Sequence, residues 1–66
     1  MKNNVRELRK QIKLTQAELA HKLDVSRQTI HAIESGDYNP STLLAIKLSN
    51  LFGKSVNEIF FLEEGE

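Results

Sequence analysis

Two helix-start signals lie eleven residues apart between Thr15 and Gly36, and this spacing constrains the fold more than any other feature of the sequence. Thr15 is followed three residues later by Glu18, a T-x-x-E capping box that binds the free N–H groups at a helix start. Ser26 supplies a second N-cap hydroxyl, and Gly36 can end the second helix in a left-handed conformation. The stretch therefore predicts two short helices joined by a tight turn.

The apolar residues of this stretch recur at helical spacing, and they leave one face of the second helix polar. They are Ala17, Leu19, Ala20, Leu23, Ile30 and Ile33; the outward residues of the second helix are Arg27, Gln28, His31 and Ala32. Helix, short turn and helix form the helix-turn-helix geometry, which places its second helix in the DNA major groove. Arginine can bind guanine, glutamine can bind adenine, and a small apolar side chain can contact a thymine methyl. An ordinary solvated helix face is the alternative, and the pattern alone favours neither.

Length and composition predict one small domain, residues 1–66, near the lower size limit for a core without disulfides. The absence of Cys excludes disulfides and thiolate metal sites, which fits a reducing cytoplasm. No apolar run approaches the roughly 20 residues that span a bilayer, and the basic start is not followed by an apolar signal core. We therefore expect a cytoplasmic protein without a membrane segment.

The net charge of zero conceals an uneven distribution along the chain. Residues 1–31 contain seven Lys or Arg and three Asp or Glu, a net charge of +4, whereas residues 32–66 contain two and six, a net charge of −4. Such a division makes one part of the molecule attractive to phosphate and the other repellent. Small proteins also show this asymmetry by chance, so the charge division supports nucleic-acid binding without establishing it.

A first helix is predicted before the helix-turn-helix, capped by Asn3 or Asn4. Its apolar stripe consists of Val5, Leu8 and Ile12, at helical spacing. Lys10 and Lys13 come just before the second helix and could reach a DNA backbone. Arg6 is expected to serve solubility.

A fourth and a fifth helix are predicted after the loop at residues 37–41. Ser41 is the expected N-cap of the fourth helix and Gly53 its end. The predicted buried face consists of Leu44, Ala45, Leu48, Leu51 and Phe52, and Leu43 and Ile46 fall partly outside it. This excess apolar surface indicates either a tightly wrapped core or a partner contact. Ser55 and Glu58 form another capping box, which opens a short fifth helix containing Val56, Ile59 and Phe60.

The C-terminal tail, residues 61–66, combines apolar and acidic residues. Residues 63–66 are expected to be a solvated acidic tail. Residues 60–62 are predicted to be extended, to pair with Met1–Asn3 and to help form a homodimer interface with helix four or five. The interface residues expected are Ile59, Phe60, Phe61 and Leu62.

Two segments carry a resemblance to a known family: LTQAELAHKLDVSRQTIHAIESGDYNP, from Leu14 to Pro40, and GKSVNEIF, from Gly53 to Phe60. With them the chain resembles the lambda-repressor-like, Cro/XRE family of helix-turn-helix transcriptional regulators over about residues 5–60. The resemblance implies an all-α, compact five-helix DNA-binding domain, to which the pairing proposed above would add a short terminal strand pair. It also implies that the partner is a double-stranded DNA operator.

The resemblance assigns roles to individual residues. Gln16 is expected to hold a phosphate, and Arg27 and Gln28 to read bases, with His31 and Ala32 at the edge of that surface. Tyr38, Asn39 and Thr42 are expected to contact the sugar-phosphate backbone, which agrees with the general division between backbone contacts that position and base contacts that specify. Arg9 and Glu34 are expected to form a half-buried salt bridge between the first and third helices.

The sequence departs from the family pattern in two respects. The turn position often held by Gly is Asp24, which tolerates positive φ better than most residues. Many family members also carry an effector or oligomerisation domain, whereas this sequence stops at Glu66. We therefore expect no cofactor and no small-molecule effector, and regulation through a second protein, DNA occupancy or the protein's own concentration.

Two other classes of function were weighed. An enzyme needs a nucleophile or an acid-base pair in a pocket, yet His21 and His31 lie on different helices with no Cys or carboxylate at metal-ligand spacing. The other alternative is an antitoxin-like or partner-binding module that also binds DNA and neutralises a partner through its acidic tail, but such tails are usually longer. The sequence thus predicts a non-enzymatic, homodimeric repressor without a metal site.

Overall fold

Five helices follow one another along the chain, and a two-stranded ribbon joins its two ends. The computed structural model describes all 66 residues. The elements are β1 (Lys2–Asn3), α1 (Val5–Gln11), α2 (Gln16–Leu23), α3 (Arg27–Glu34), α4 (Thr42–Phe52), α5 (Val56–Ile59) and β2 (Phe60–Phe61). The strands are antiparallel, with Lys2 opposite Phe61 and Asn3 opposite Phe60. The predicted five-helix fold with a terminal strand pair is confirmed, and none of the helices has the length and apolar character that a membrane span requires.

The helix starts follow the capping signals of the sequence. In α2, the Glu18 N–H donates to Thr15 Oγ1 over 3.0 Å, and the Thr15 N–H donates to Glu18 Oε1 over 2.9 Å. Ser26 and Ser41 accept in the same way from backbone N–H groups at the starts of α3 and α4. At α1 the N-cap position is Asn4, whose side chain makes no capping bond, and the Oδ1 of Asn3 instead accepts from the Val5 N–H over 3.1 Å.

Left-handed residues end three of the helices and set the turns between them. Asp24 has φ 58° and ψ 45° at the end of α2, so the departure from glycine is accommodated as expected. Gly36 has φ 81° directly after the last turn of α3, and Gly53 has φ 64° at the end of α4. Lys13 is also left-handed, with φ 61°, although no sequence signal marks it. This residue turns the chain from α1 into α2.

The core is a single cluster of apolar side chains that all five helices and β2 share. Its members are Val5, Leu19, Ala20, Leu23, Ile30, Ile33, Leu44, Leu48, Ile59 and Phe60. Ile12, expected in the α1 stripe, is instead 45% exposed, because α1 ends at Gln11. Val56, which the sequence places on the fifth helix with Ile59 and Phe60, is 39% exposed, whereas those two residues are buried.

The burial of Ile59 and Phe60 corrects part of the expected homodimer interface. Ile59 is 0% exposed and Phe60 is 8% exposed in the single chain, so both are residues of its own core. The pairing of β2 with β1 turns Phe60 inward and leaves Phe61 and Leu62 with exposed side chains.

Replacement of Asp24 tests whether the left-handed turn stores strain. Asp24→Gly should raise the free energy of unfolding by about 0.5–1 kcal/mol, because glycine adopts positive φ freely and a negative charge leaves the C-terminal end of α2. Asp24→Val should lower it by about 1–2 kcal/mol, because a β-branched side chain is least compatible with this conformation. Urea unfolding monitored by circular dichroism measures both changes.

Asp37→Gly is the matched control, because Asp37 is an exposed loop aspartate without positive φ. It should give no stabilisation, since glycine there only adds freedom to the unfolded chain. A loss of stability in Asp24→Gly as large as in Asp24→Val would contradict this account of the turn.

Candidate nucleic-acid interface

The outward face of α3 presents polar side chains that have no partner within the protein. Arg27, Gln28 and His31 are exposed and Ala32 is half-buried. No intramolecular hydrogen bond or ion pair engages the side chains of Arg27, Gln28 or His31. The donors and acceptors of this face are therefore free to bind a ligand.

The opposite face of α3 fixes the helix to the core. Ile30 and Ile33 are both 0% exposed. The helix start is held by Ser26, whose Oγ accepts from the Thr29 N–H over 3.1 Å and lies 2.9 Å from Thr29 Oγ1. Arg27 and Gln28 occupy the first turn, where free backbone N–H groups and the helix dipole favour anions.

A buried carboxylate, Glu34, ends α3 and binds the first helix. The Arg9 guanidinium donates from Nε to Glu34 Oε2 over 2.7 Å and from Nη2 to Oε1 over 3.2 Å. Its Nη1 donates to the Leu14 carbonyl over 2.8 Å. The side chains of Arg9 and Glu34 are 10% and 0% exposed, so the expected ion pair is present and more deeply buried than the half-buried pair anticipated.

The surroundings of Glu34 favour its ionised form. Burial raises the pKa of the carboxyl, but hydrogen bonds from Arg9 and Gln16 and the charges of Arg9 and Arg6 outweigh burial, so the pKa lies below its ordinary value. The hydrogen bond to Glu34 likewise raises the pKa of Arg9. Both groups therefore remain charged at neutral pH.

Two further contacts with Glu34 were missed by the sequence reasoning. Gln16 Nε2 donates to Glu34 Oε1 over 3.1 Å, and Arg6 Nε lies 3.6 Å from the same oxygen. Arg6 was expected to serve solubility alone; its side chain is 54% exposed but pairs with the buried carboxylate. No local pattern signals either contact, because each joins residues at least 18 positions apart.

The remaining candidates for backbone contacts are exposed and lie at helix ends or on the connections between helices. Lys10 is near the end of α1, and Lys13 is in the turn that precedes α2. Tyr38 and Asn39 are in the loop after α3, and Thr42 is the first residue of α4. Tyr38 lines an open depression with residues of the turn between α2 and α3, so the loop lies beside the helix-turn-helix.

An apolar groove lies on the C-terminal part of the molecule. Its lining includes Pro40, Ala45, Ile46, Val56, Phe60 and Leu62. Leu62 is 76% exposed and Ile46 is 49% exposed. Phe61, 39% exposed, lines a separate depression with Leu8 and Lys54. We call the first of these depressions the C-terminal groove.

The structure contains no group of three or more His, Asp or Glu side chains that could hold a metal ion. His21 and His31 are both exposed, and the depressions of the surface are open to solvent.

Comparisons with known proteins agree with this geometry. A helix-turn-helix family model matches residues 5–59. An uncharacterised HTH-type transcriptional regulator of Methanocaldococcus jannaschii is 50% identical over 66 residues, covering 100% of both chains. The uncharacterised HTH-type transcriptional regulator YgzD of Bacillus subtilis is 47% identical over 64 residues, covering 97% of each. Among solved structures, the restriction-modification controller protein C.AhdI of Aeromonas hydrophila is similar with a TM-score of 0.74 and 30% identity, covering 85% of each chain.

The ion pair of Glu34 predicts a specific pH dependence of stability. Because the folded-state pKa of Glu34 is depressed, its contribution is present above the ordinary glutamate pKa of about 4.3 and is lost as pH falls through the lower folded value. Glu34→Gln should cost about 3–5 kcal/mol at pH 7, because Arg9 is left buried without a counter-charge. It should also lose less stability than the wild type between pH 6 and pH 3. Urea unfolding at a series of pH values measures both effects.

Glu7→Gln is the control, because Glu7 is exposed on α1 and forms no ion pair. Its stability should stay within about 0.5 kcal/mol of the wild type, with the same pH profile. A Glu34→Gln protein as stable as Glu7→Gln would show that the buried pair does not hold the fold.

Proposed function

The chain belongs to the helix-turn-helix family of DNA-binding transcriptional regulators, and we propose that it is a homodimeric repressor of a twofold-symmetric double-stranded DNA operator. The observation that carries this proposal is the two-sided character of α3. Ile30 and Ile33 are fully buried on one face, and Arg27, Gln28 and His31 are exposed without intramolecular partners on the other.

Sequence reading is assigned to the outward face of α3 in the major groove. Arg27 can donate two hydrogen bonds to guanine O6 and N7, and Gln28 can pair with adenine N6 and N7. His31 and Ala32 follow one turn later and contact the edge of the same base steps. The buried side of α3 supports this assignment, because a helix fixed to the core presents its base-reading side chains in one orientation.

Positioning on the duplex is assigned to residues around α3, of which Gln16 is half-buried and the others are exposed. Gln16 and Thr42 lie in the first turns of α2 and α4, where helix N-termini favour phosphate. Tyr38 and Asn39 extend the backbone contact along the loop after α3. Lys10 and Lys13 add sequence-independent attraction to phosphate.

The homodimer is proposed to form through the C-terminal groove and the adjoining tail. Ile46, Val56 and Leu62 are exposed apolar side chains around one depression. Phe61, also expected in the interface, lines the separate depression beside Leu8 and Lys54. The protomer measures 33 × 23 × 20 Å. Two adjoining protomers of this size can place their α3 helices about 34–36 Å apart, one turn of DNA. Such a dimer would act as a repressor by occupying a site that other proteins need.

Substitutions in α3 test base reading. Arg27→Ala and Gln28→Ala should each weaken binding to an operator selected from random DNA by about 1–3 kcal/mol and relax specificity at single base positions. Fluorescence anisotropy with the selected duplex and a scrambled duplex separates the two effects.

Lys10→Ala and Lys13→Ala are the matched controls for charge. They should weaken binding to both duplexes alike and reduce the dependence of affinity on salt concentration, because they contact only phosphate. If Arg27→Ala lost the same affinity on both duplexes, Arg27 would be a backbone contact and the base-reading assignment would be wrong.

A charge placed in the C-terminal groove tests the homodimer. Leu62→Glu should convert a dimer at tens of micromolar into a monomer in sedimentation velocity, because the interface would bury unpaired carboxylates. Leu43→Glu is the control, since Leu43 is 65% exposed and lies beside the helix-turn-helix rather than in this groove. A wild-type chain that sediments as a monomer at that concentration would contradict the proposed assembly.

A further inference from the structure

The Gln16 side chain is held before any ligand is bound. It is half-buried at the first position of α2, and its Nε2 donates over 3.1 Å to Glu34 Oε1. The Glu34 carboxylate is itself held in place, because the Glu34 side chain is fully buried and accepts two hydrogen bonds from Arg9. The other two glutamines, Gln11 and Gln28, are exposed and make no side-chain hydrogen bond.

The hydrogen bond to Glu34 leaves Gln16 able to bind an anion. A glutamine amide has two N–H donors, and Glu34 uses one of them. The second donor remains for a phosphate oxygen. Ordering a long side chain costs conformational entropy. The Gln16 side chain is already ordered when the protein folds, so binding a phosphate does not incur this entropy cost a second time.

The position of Glu34 gives this hydrogen bond a second consequence. Glu34 is the last residue of α3, the same helix that carries Arg27 and Gln28. Gln16 is on α2. The Glu34 carboxylate therefore links the Gln16 amide, which is expected to bind a backbone phosphate, to α3, which is expected to lie in the major groove. This link fixes the distance between the phosphate contact and the base contacts.

We propose that Glu34 is a positioning residue for DNA binding: it orients the Gln16 amide toward a backbone phosphate in register with the bases read by α3. This rests on the proposed function, in which Gln16 contacts phosphate. It assigns Glu34 a role beyond its ion pair with Arg9, because the ion pair alone would stabilise the fold without affecting the Gln16 contact.

A double-mutant cycle on DNA affinity tests the proposal. The wild type, Gln16→Met, Glu34→Leu and the double variant are titrated with the selected operator duplex under conditions where circular dichroism shows all four folded. Leucine removes the acceptor oxygen, which glutamine at this position would keep. Gln16→Met should weaken binding about five- to tenfold in the wild-type background and less than about twofold in the Glu34→Leu background. Gln11→Met, a matched glutamine substitution at the end of α1, should leave affinity unchanged in both.

The outcomes separate this proposal from the proposed function. An equal loss from Gln16→Met in both backgrounds would overturn the role of Glu34 while leaving Gln16 as a phosphate contact. If Gln16→Met kept the wild-type DNA affinity, Gln16 would not be a phosphate contact and the proposal would be wrong. Base reading by Arg27 and Gln28 is tested separately and would be unaffected by that result. Equal wild-type affinity for the selected and scrambled duplexes would instead count against sequence-specific binding.

A second measurement needs no variant and no DNA, so it tests the proposal even if Glu34→Leu does not fold. The ¹⁵N heteronuclear NOE of the side-chain amides is recorded on the free wild-type protein. The Gln16 amide should be distinctly more rigid than those of Gln11 and Gln28, because it alone is bound to a buried carboxylate. Three equally mobile amides would overturn the proposal.

Discussion

The carboxylate of Glu34 is the interaction on which the arrangement of the first three helices depends. One buried charge at the end of α3 is bound by Arg9 from α1 and by Gln16 from α2. Arg9 also donates to the Leu14 carbonyl and thereby holds the connection in which Lys13 turns left-handed. Buried pairs of this kind do not always add net stability, but removing one partner is costly. In a domain near the lower size limit, that cost is large relative to the whole.

The apolar core and this polar network have different tasks. Burial of apolar side chains is favourable in any orientation that removes them from water, so it brings α3 to the core without determining its rotation fully. Ile30 and Ile33 supply that burial, and the directional hydrogen bonds of Glu34 add a defined orientation. Arg27 and Gln28, which have no structural partner, are consequently presented on a rigid support. The face of α3 that is available for DNA is the face whose polar side chains have no partner within the protein.

Local signals in the sequence predicted the helices and turns well. They did not predict most of the contacts between residues that are distant along the chain. Capping at Thr15 and Ser26 and the left-handed Asp24 depend on residues a few positions apart, so their pattern is readable. The bond between Gln16 and Glu34 depends on how two helices pack, which no single-sequence pattern reports. The same reason explains why Ile59 was assigned to an interface. The sequence pattern of an apolar residue near a chain end is the same whether the residue packs into the core of its own chain or against a partner. The ion pair of Arg9 with Glu34 was anticipated only through the family resemblance.

We propose that α3, which the core and Glu34 fix on its inner side, is the surface that reads DNA. The most direct measurement is an NMR titration of the ¹⁵N-labelled protein with the selected operator duplex, with shift changes mapped onto the structure. We expect the largest changes at Arg27, Gln28 and His31 and around the expected backbone contacts Gln16 and Tyr38. Changes concentrated on the C-terminal groove, with α3 unaffected, would contradict this proposal.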